Sequence, residues 1–238
     1  MSDDVSAINE AKSQGRLLKT LAEELKIPLL QIARASELAR LSGDMREVER
    51  TEVLADTVLR LLDSYVLSTQ TMLGQQTLEL EPVSLNAIMY DTAQYLYKVA
   101  KLYDCEIELS TSSRYGLVMA NHQALQAALT SLGYSFINSM NESGASRIIL
   151  MTGRNKYGIA AGVQTTDQEV GNNVLKQAKA LYGVARQPLP SLTHASGAGF
   201  MVANSLFDAM ATQLRVIKQR GNTGLAATLL PSQQLALL

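Results

Sequence analysis

Between Ser6 and Thr71 the apolar side chains recur at steps of three and four residues, which is the spacing of one face of an α-helix. The pattern predicts one helix from about Ser6 to Leu41 and a second that ends near Thr71. Residues 42–44 between them read Ser-Gly-Asp, which supplies a helix stop and an N-cap for the next helix. Pro28 removes one backbone hydrogen bond and should bend the first helix. The sequence therefore predicts a helical hairpin.

Two helices joined by a short turn can pair with each other, but a second apolar stripe then stays uncovered. Two such hairpins would bury both stripes in a four-helix bundle. We therefore expect a homodimer, with residues 1–73 as its helical dimerisation domain. The alternative is that the hairpin packs against the rest of its own chain.

A polar break at residues 74–76 reads as a linker, and the pattern beyond it alternates between strand and helix spacing. This second domain is expected to cover residues 77–238. Its strands are predicted at 78–80, 106–110, 116–119, 147–152, 158–164, 213–218 and 225–230, and its helices at 85–102, 123–139, 173–181 and 199–210. Ser84 is the expected N-cap of the first of these helices. Helices interspersed with strands and hairpins predict an α+β sandwich with one mixed sheet.

Composition excludes several classes of function. The chain has 238 residues, 47% of them apolar, so a packed core is expected. Its net charge of −1 does not suggest nucleic acid or an anionic membrane as a binding partner. No apolar run reaches the ~20 residues of a membrane helix, and a cytoplasmic protein is expected. Cys105 is the only cysteine, which excludes internal disulfides. A small buried or half-buried residue is expected here rather than a reactive thiol. His122 and His194 are the only histidines and lie far apart in sequence, so no metal site is expected.

Residues 21–29 read LAEELKIPL and resemble the phosphoacceptor segment of sensor histidine kinases. Glu23 occupies the position of the histidine that takes phosphate from ATP in that family. Ile27 occupies the position of the Thr or Asn with which some members remove phosphate from their response regulator. The rest of the frame is kept by Glu24, Leu25, Lys26, Pro28 and Leu29. The resemblance implies that the scaffold is retained while the reacting group is lost.

Further segments resemble the ATP-binding domain of the same family, which shares its fold with the Hsp90 chaperone and gyrase. Residues 78–85 (LELEPVSL) resemble the opening of that domain, and residues 221–231 (GNTGLAATLLP) resemble its end. Residues 121–136 match the helix whose two asparagines hold magnesium and phosphate. Ser131 and Ser135 stand at those two positions, and the resemblance therefore implies that the metal site is lost. From the residues alone, both serines are expected on a half-exposed helix face.

The remaining parts of the nucleotide site also differ from the family pattern. Thr165 stands at the position of the aspartate that binds adenine, and Asp167 and Glu169 stand at the following glycine positions. A shift of two residues would instead make Asp167 the adenine acceptor. Gly197 and Gly199 lie in a glycine-rich loop before a helix, which in the family contacts phosphate. A tight connection between a strand and a helix is an equally good interpretation.

Three hypotheses follow. The first is a non-catalytic, dimeric histidine-kinase-like protein of two-component signalling that docks a response-regulator receiver domain and needs no cofactor. Its docking surface would be formed by Leu21, Ala22, Leu25, Lys26, Pro28 and Leu29. The second is a divergent kinase that uses ATP and magnesium, with Asp167, the loop at 197–199 and another phosphoacceptor such as His122. The third is an adaptor that acts only as an oligomerisation module.

Overall fold

The computed structural model describes residues 22, 25–112, 116–139, 147–166, 197–219 and 221–232. The helices are α1 (residues 25–42), α2 (Met45–Met72), α3 (Leu85–Ala100), α4 (His122–Asn138) and α5 (Gly197–Ala209), with a 3-10 helix at Lys101–Tyr103. The strands are β1 (Glu81–Ser84), β2 (Glu106–Ser110), β3 (Leu117–Ala120), β4 (Arg147–Asn155), β5 (Gly158–Thr165), β6 (Arg215–Gln219) and β7 (Asn222–Leu229). This α+β order confirms the predicted fold class. The predicted helix at 173–181 lies outside the described residues.

Local capping residues set the helix boundaries, as the sequence predicts. Gly43 has φ +67°, and the Asp44 side chain accepts a hydrogen bond from the Arg46 backbone N–H, so α1 ends and α2 begins here. Ser84 caps α3 in the same way, through the backbone N–H of Ala87. Pro28 lies in α1, and the turn before it includes residues outside the described part. The predicted bend of the helix at Pro28 therefore stays a prediction.

The strands form two sheets: the larger one is the predicted mixed sheet, and the smaller one was not predicted. The larger sheet has the order β2-β4-β5-β7-β6, in which β2 and β4 are parallel and the other pairs are antiparallel. Strands β1 and β3 form a separate antiparallel pair. The predicted strand at 78–80 was wrong, because the residues that pair with β3 are 81–84. Among the described residues, a single bridge between Val118 and Pro231 joins β3 to the chain beyond β7, which is too little for a continuous ladder.

One core unites the large sheet with the helices above it. Alternate residues of β4, β5 and β7 face this core, including Leu150, Val163 and Leu225, and α3, α4 and α5 contribute most of their buried side chains to it. Leu61 and Tyr65 of α2 belong to the same core. The hairpin therefore does pack one of its faces on its own chain. The proposed division into domains at residues 73–77 stays a prediction.

Candidate functional site

Helix α4 carries the two serines at the asparagine positions of the family pattern. The Asn121 side chain caps this helix by accepting a hydrogen bond from the Ala124 backbone N–H at 3.0 Å. Ser131 and Ser135 are both 0% exposed. The expectation of a half-exposed face was therefore wrong, because α5 packs across this side of α4.

At Gly199 the contact between the two helices is made by backbone atoms of α5. A methyl group placed on Gly199 would overlap the Ser135 Oγ and would lie 2.6 Å from the Ser131 carbonyl oxygen. Only glycine allows this close approach. The phenyl rings of Phe136 and Phe200 meet edge to face beside it, with centroids 5.9 Å apart.

The sequence suggested that the glycine-rich segment forms a loop before the helix. This expectation was wrong. Residues 197–199 already belong to α5, and Ala198 and Gly199 are buried. The first turn of α5 therefore lies against the two serines.

The hydroxyl groups of Ser131 and Ser135 have no hydrogen-bond partner among the described residues. A buried hydroxyl group without a partner costs about 1–3 kcal/mol in mutational data. Burial of these two hydroxyl groups in the α4–α5 contact therefore lowers the stability of the fold locally.

Thr165, at the position of the adenine-binding aspartate, is fully buried at the end of β5. Its hydroxyl group donates a hydrogen bond to the Arg147 carbonyl oxygen at 2.9 Å. This bond ties the end of β5 to the start of β4. Asp167 and Glu169 lie outside the described residues, so the alternative register of this motif stays a prediction.

The segment that resembles the phosphoacceptor region lies at the start of α1. Lys26 and Leu29 are exposed, Ile27 is half-buried, and Pro28 is buried. Leu25 is half-buried and packs on the main core. Of the remaining docking residues, Ala22 is helical and exposed, whereas Leu21, Glu23 and Glu24 lie outside the described residues.

A hydrogen bond that no sequence pattern indicates joins α1 to the sandwich. The Tyr103 hydroxyl donates to the Gln31 Oε1 at 3.0 Å. Burial raises the pKa of Tyr103, although hydrogen bonds to Tyr134 and Gln31 oppose this rise. The contact fixes the first helix of the hairpin against the 3-10 helix.

Cys105 is half-buried, as predicted. Burial raises the pKa of its thiol to about 11, and the carboxylate of Glu106 adds to the rise. Such a thiol is poorly suited to nucleophilic chemistry near neutral pH.

His122 is exposed at the first residue of α4, and His194 lies outside the described residues. In the described ranges no group of three or more His, Cys, Asp or Glu side chains is placed to hold a metal ion.

A groove of about 340 Å³ runs between the end of α2 and the outer face of α5. Its lining is formed by Thr71, Met72, Met201, Asn204, Ser205, Asp208 and Ala209. Four residues of the expected nucleotide site, Ser131, Ser135, Thr165 and Gly199, do not line it. Burial raises the pKa of Asp208, and a hydrogen bond from Asn204 opposes the rise.

No family model matches the sequence, and no curated protein matches it. Solved structures do match. The histidine kinase AdeS of Acinetobacter baumannii superposes with a TM-score of 0.54 at 10% identity, over 89% of this chain and 98% of that chain. A histidine kinase from Burkholderia phymatum gives a TM-score of 0.50 at 15% identity, over 89% of this chain and 98% of that chain.

Full-length ShkA, solved in complex with AMPPNP, has a TM-score of 0.53 at 15% identity, over 92% of this chain and 46% of that chain. The chain has a histidine-kinase-like fold. At these identities the likeness concerns the fold alone. In the described part of this histidine-kinase-like chain, no helix has the length and apolar character needed to cross a bilayer.

Proposed function

We propose that this chain is a non-catalytic, histidine-kinase-like scaffold protein of two-component signalling. It dimerises through its helical hairpin and docks a receiver domain without phosphorylating itself. The observation that carries the proposal is the close contact of Ser131 and Ser135 with the first turn of α5.

Loss of nucleotide binding is supported at three positions that the family uses for ATP. Two of them hold serines whose hydroxyl groups are fully buried. A serine hydroxyl group is also too short to take the place of an asparagine amide oxygen on magnesium. The third position holds Thr165, whose hydroxyl group is engaged with the backbone of β4. Glu23 in place of histidine removes the phosphoacceptor as well, because a glutamate cannot form a phosphoramidate.

Dimerisation is supported by a second apolar stripe on α2 that its own chain leaves exposed. Leu59, Leu62 and Val66 follow the three-four spacing of a coiled-coil seam, and the C-cap residue Leu73 lies seven residues after Val66. Their side chains are exposed by 61%, 39%, 53% and 46%. Further exposed apolar side chains lie on α1 and at the turn: Leu30, Leu38, Leu41 and Met45. A second hairpin would remove this apolar area from water.

Docking of a receiver domain is supported by the exposure of Lys26 and Leu29 on α1. Protein interfaces combine an apolar centre with a polar rim, and Leu29 and Lys26 would supply one group of each kind. Because Pro28 is buried, we assign it a role in shaping this surface rather than in contacting the partner. A cytoplasmic location stays a prediction.

Calorimetric titration of the purified chain with magnesium and ATP tests the proposal. We expect no binding heat and no transfer of labelled phosphate from ATP. The Glu23→His variant should be tested alongside the wild-type chain, because it restores the phosphoacceptor without restoring the nucleotide site. It should also stay unlabelled.

Micromolar binding of ATP by the wild-type chain would contradict the proposal and favour the divergent kinase. In that case His122→Ala would test the alternative phosphoacceptor, since this exposed side chain can be removed without opening the core. Labelling of Glu23→His alone would show that ATP still binds, and would limit the loss to the phosphoacceptor.

A further inference from the structure

Strand β2 forms an open edge of the large sheet. It comes first in the strand order and pairs only with β4, in parallel register from Glu106 with Arg147 to Ser110 with Met151. Among the described residues, none pairs with its outer side. The backbone N–H and C=O groups on that side are therefore available to a further strand.

Helix α3 stands beside this edge and forms a groove with it. The groove is lined by Tyr90, Ala93, Gln94 and Tyr97 on the helix and by Ile107 and Leu109 on the strand, with a volume of about 270 Å³. The helix residues lie at the spacing of one helical face. Tyr90 and Tyr97 are 55% and 50% exposed, so two aromatic rings border the groove.

The opposite face of β2 is acidic. Ile107 and Leu109 alternate with Glu106 and Glu108, whose side chains therefore point to the other side of the sheet. Arg147 contacts both carboxylates, at 3.1 Å and 3.2 Å, and leaves them with one uncompensated negative charge. The two carboxylates remain largely exposed, with 64% and 44% of their side-chain surface accessible.

We propose that the β2 edge binds an extended peptide segment of a partner protein by strand addition. The segment would carry apolar or aromatic side chains on the face toward α3 and lysine or arginine on the other face. An edge strand beside a helix offers the two elements that strand-addition sites use, namely backbone hydrogen bonds for affinity and side-chain pockets for specificity. The inference goes beyond the proposed function and does not depend on it.

Charge argues against a second copy of β2 as the occupant. In an antiparallel pair centred on Glu108, this residue would face its own counterpart, and like charges directly opposite each other destabilise a ladder. A basic peptide meets the same carboxylates with opposite charge. The surface therefore fits a partner segment better than it fits itself.

The test uses the full chain and a synthetic peptide of alternating valine and lysine that is long enough to pair with the five residues of β2. Fluorescence anisotropy of the labelled peptide measures binding. A peptide of alternating valine and glutamate tests the charge requirement. The valine-lysine peptide with N-methylated backbone groups tests strand pairing. We expect saturable binding of the unmodified basic peptide only.

Two variants with matched exposure locate the site. Leu109 on β2 and Val216 on the opposite edge strand, β6, are each 37% exposed. We expect Leu109→Lys to weaken peptide binding roughly tenfold or more, and Val216→Lys to leave it unchanged. Circular dichroism of both variants verifies that they are folded.

Four peptide-binding results would overturn the proposal. These are the absence of saturable binding by the basic peptide, equal binding of the valine-glutamate peptide, equal binding of the N-methylated basic peptide, and an equal loss in both variants. The basic β6 edge of another copy is a further possible occupant of the β2 edge, and light scattering tests for it. If the chain forms open-ended assemblies and either variant abolishes them, the β2 edge serves self-association instead of binding a partner peptide.

Discussion

The hydroxyl group of Ser135 lies against the backbone of Gly199 at the point where α4 and α5 meet. Neither residue is exposed, and no described side chain stands between them. A larger group on either residue would push the helices apart. This contact occupies positions at which the family pattern places a magnesium ligand and a phosphate-binding backbone.

Gly199→Ala should destabilise the protein, because the new methyl group would overlap the Ser135 Oγ and approach the Ser131 carbonyl oxygen. Backbone atoms cannot rotate away, so we expect a loss of about 1–3 kcal/mol in the free energy of unfolding. Urea denaturation measures it. Gly116→Ala is the control, since a methyl group at residue 116 meets nothing within 4 Å. A Gly199→Ala variant as stable as the control would contradict the close contact.

Ser135→Ala should leave stability unchanged or raise it by about 1 kcal/mol, because it removes a buried hydroxyl group that has no partner among the described residues. Denaturation in urea gives the difference directly. Ser84→Ala provides the contrast: this hydroxyl group caps α3, and its removal should cost about 1 kcal/mol. Marked destabilisation by Ser135→Ala would mean that the hydroxyl group has a partner.

Leu62→Lys should shift the chain from dimer to monomer, because it places a charge in the exposed stripe of α2. Leu80→Lys is a matched control, since both leucines are 39% exposed and only Leu62 lies on the hairpin. Sedimentation or light scattering at several concentrations reports the mass. A wild-type chain that stays monomeric at high concentration would rule out the dimer, and equal dissociation of both variants would place the interface elsewhere.

Tyr103→Phe should loosen α1 from the sandwich, because it removes the hydrogen bond to Gln31. The expected loss of stability is about 1 kcal/mol. Hydrogen exchange should accelerate within residues 25–42 more than in the sheet. Tyr157→Phe, on an exposed turn between β4 and β5, is the control and should leave exchange in α1 unchanged. If exchange rises evenly over the whole chain, Tyr103 contributes only to global stability.

Cys105 should react slowly with iodoacetamide near neutral pH, and its rate should rise as pH approaches about 11, the raised pKa of the folded thiol. Mass spectrometry follows the alkylation. The raised pKa also affects stability. The unfolded thiol ionises around its ordinary pKa of 9.0, before the folded thiol does.

The contribution of Cys105 to stability is therefore fully present below pH 9.0 and is lost as the pH rises toward about 11. The Cys105→Ala variant should lack this part of the pH dependence of stability, whereas the part that comes from the tyrosines should remain. Fast alkylation of the folded wild-type chain at pH 7 would contradict the burial of the thiol.

Local sequence determined the helix ends and most strand positions of this protein. The Ser-Gly-Asp turn after α1, Ser84 before α3 and the alternation in β4 and β5 act over a few residues, so their effect is visible without knowledge of distant contacts. The resemblance to histidine kinases was likewise visible in short segments. The sheet order could not be derived in this way, because it depends on pairing between strands far apart in sequence.

Tertiary structure alone decided what surrounds the candidate site. As a sequence, Ser131 and Ser135 look like polar residues on a half-exposed helix, and residues 197–199 look like a loop. Their burial follows from the packing of α5 on α4, which glycine at residue 199 allows because it has no side chain. The open edge of β2 and its groove with α3 also arise only from assembly of the sheet. The sequence therefore determined which groups the chain carries, whereas helix packing and strand order decided which of them are buried and which face a partner.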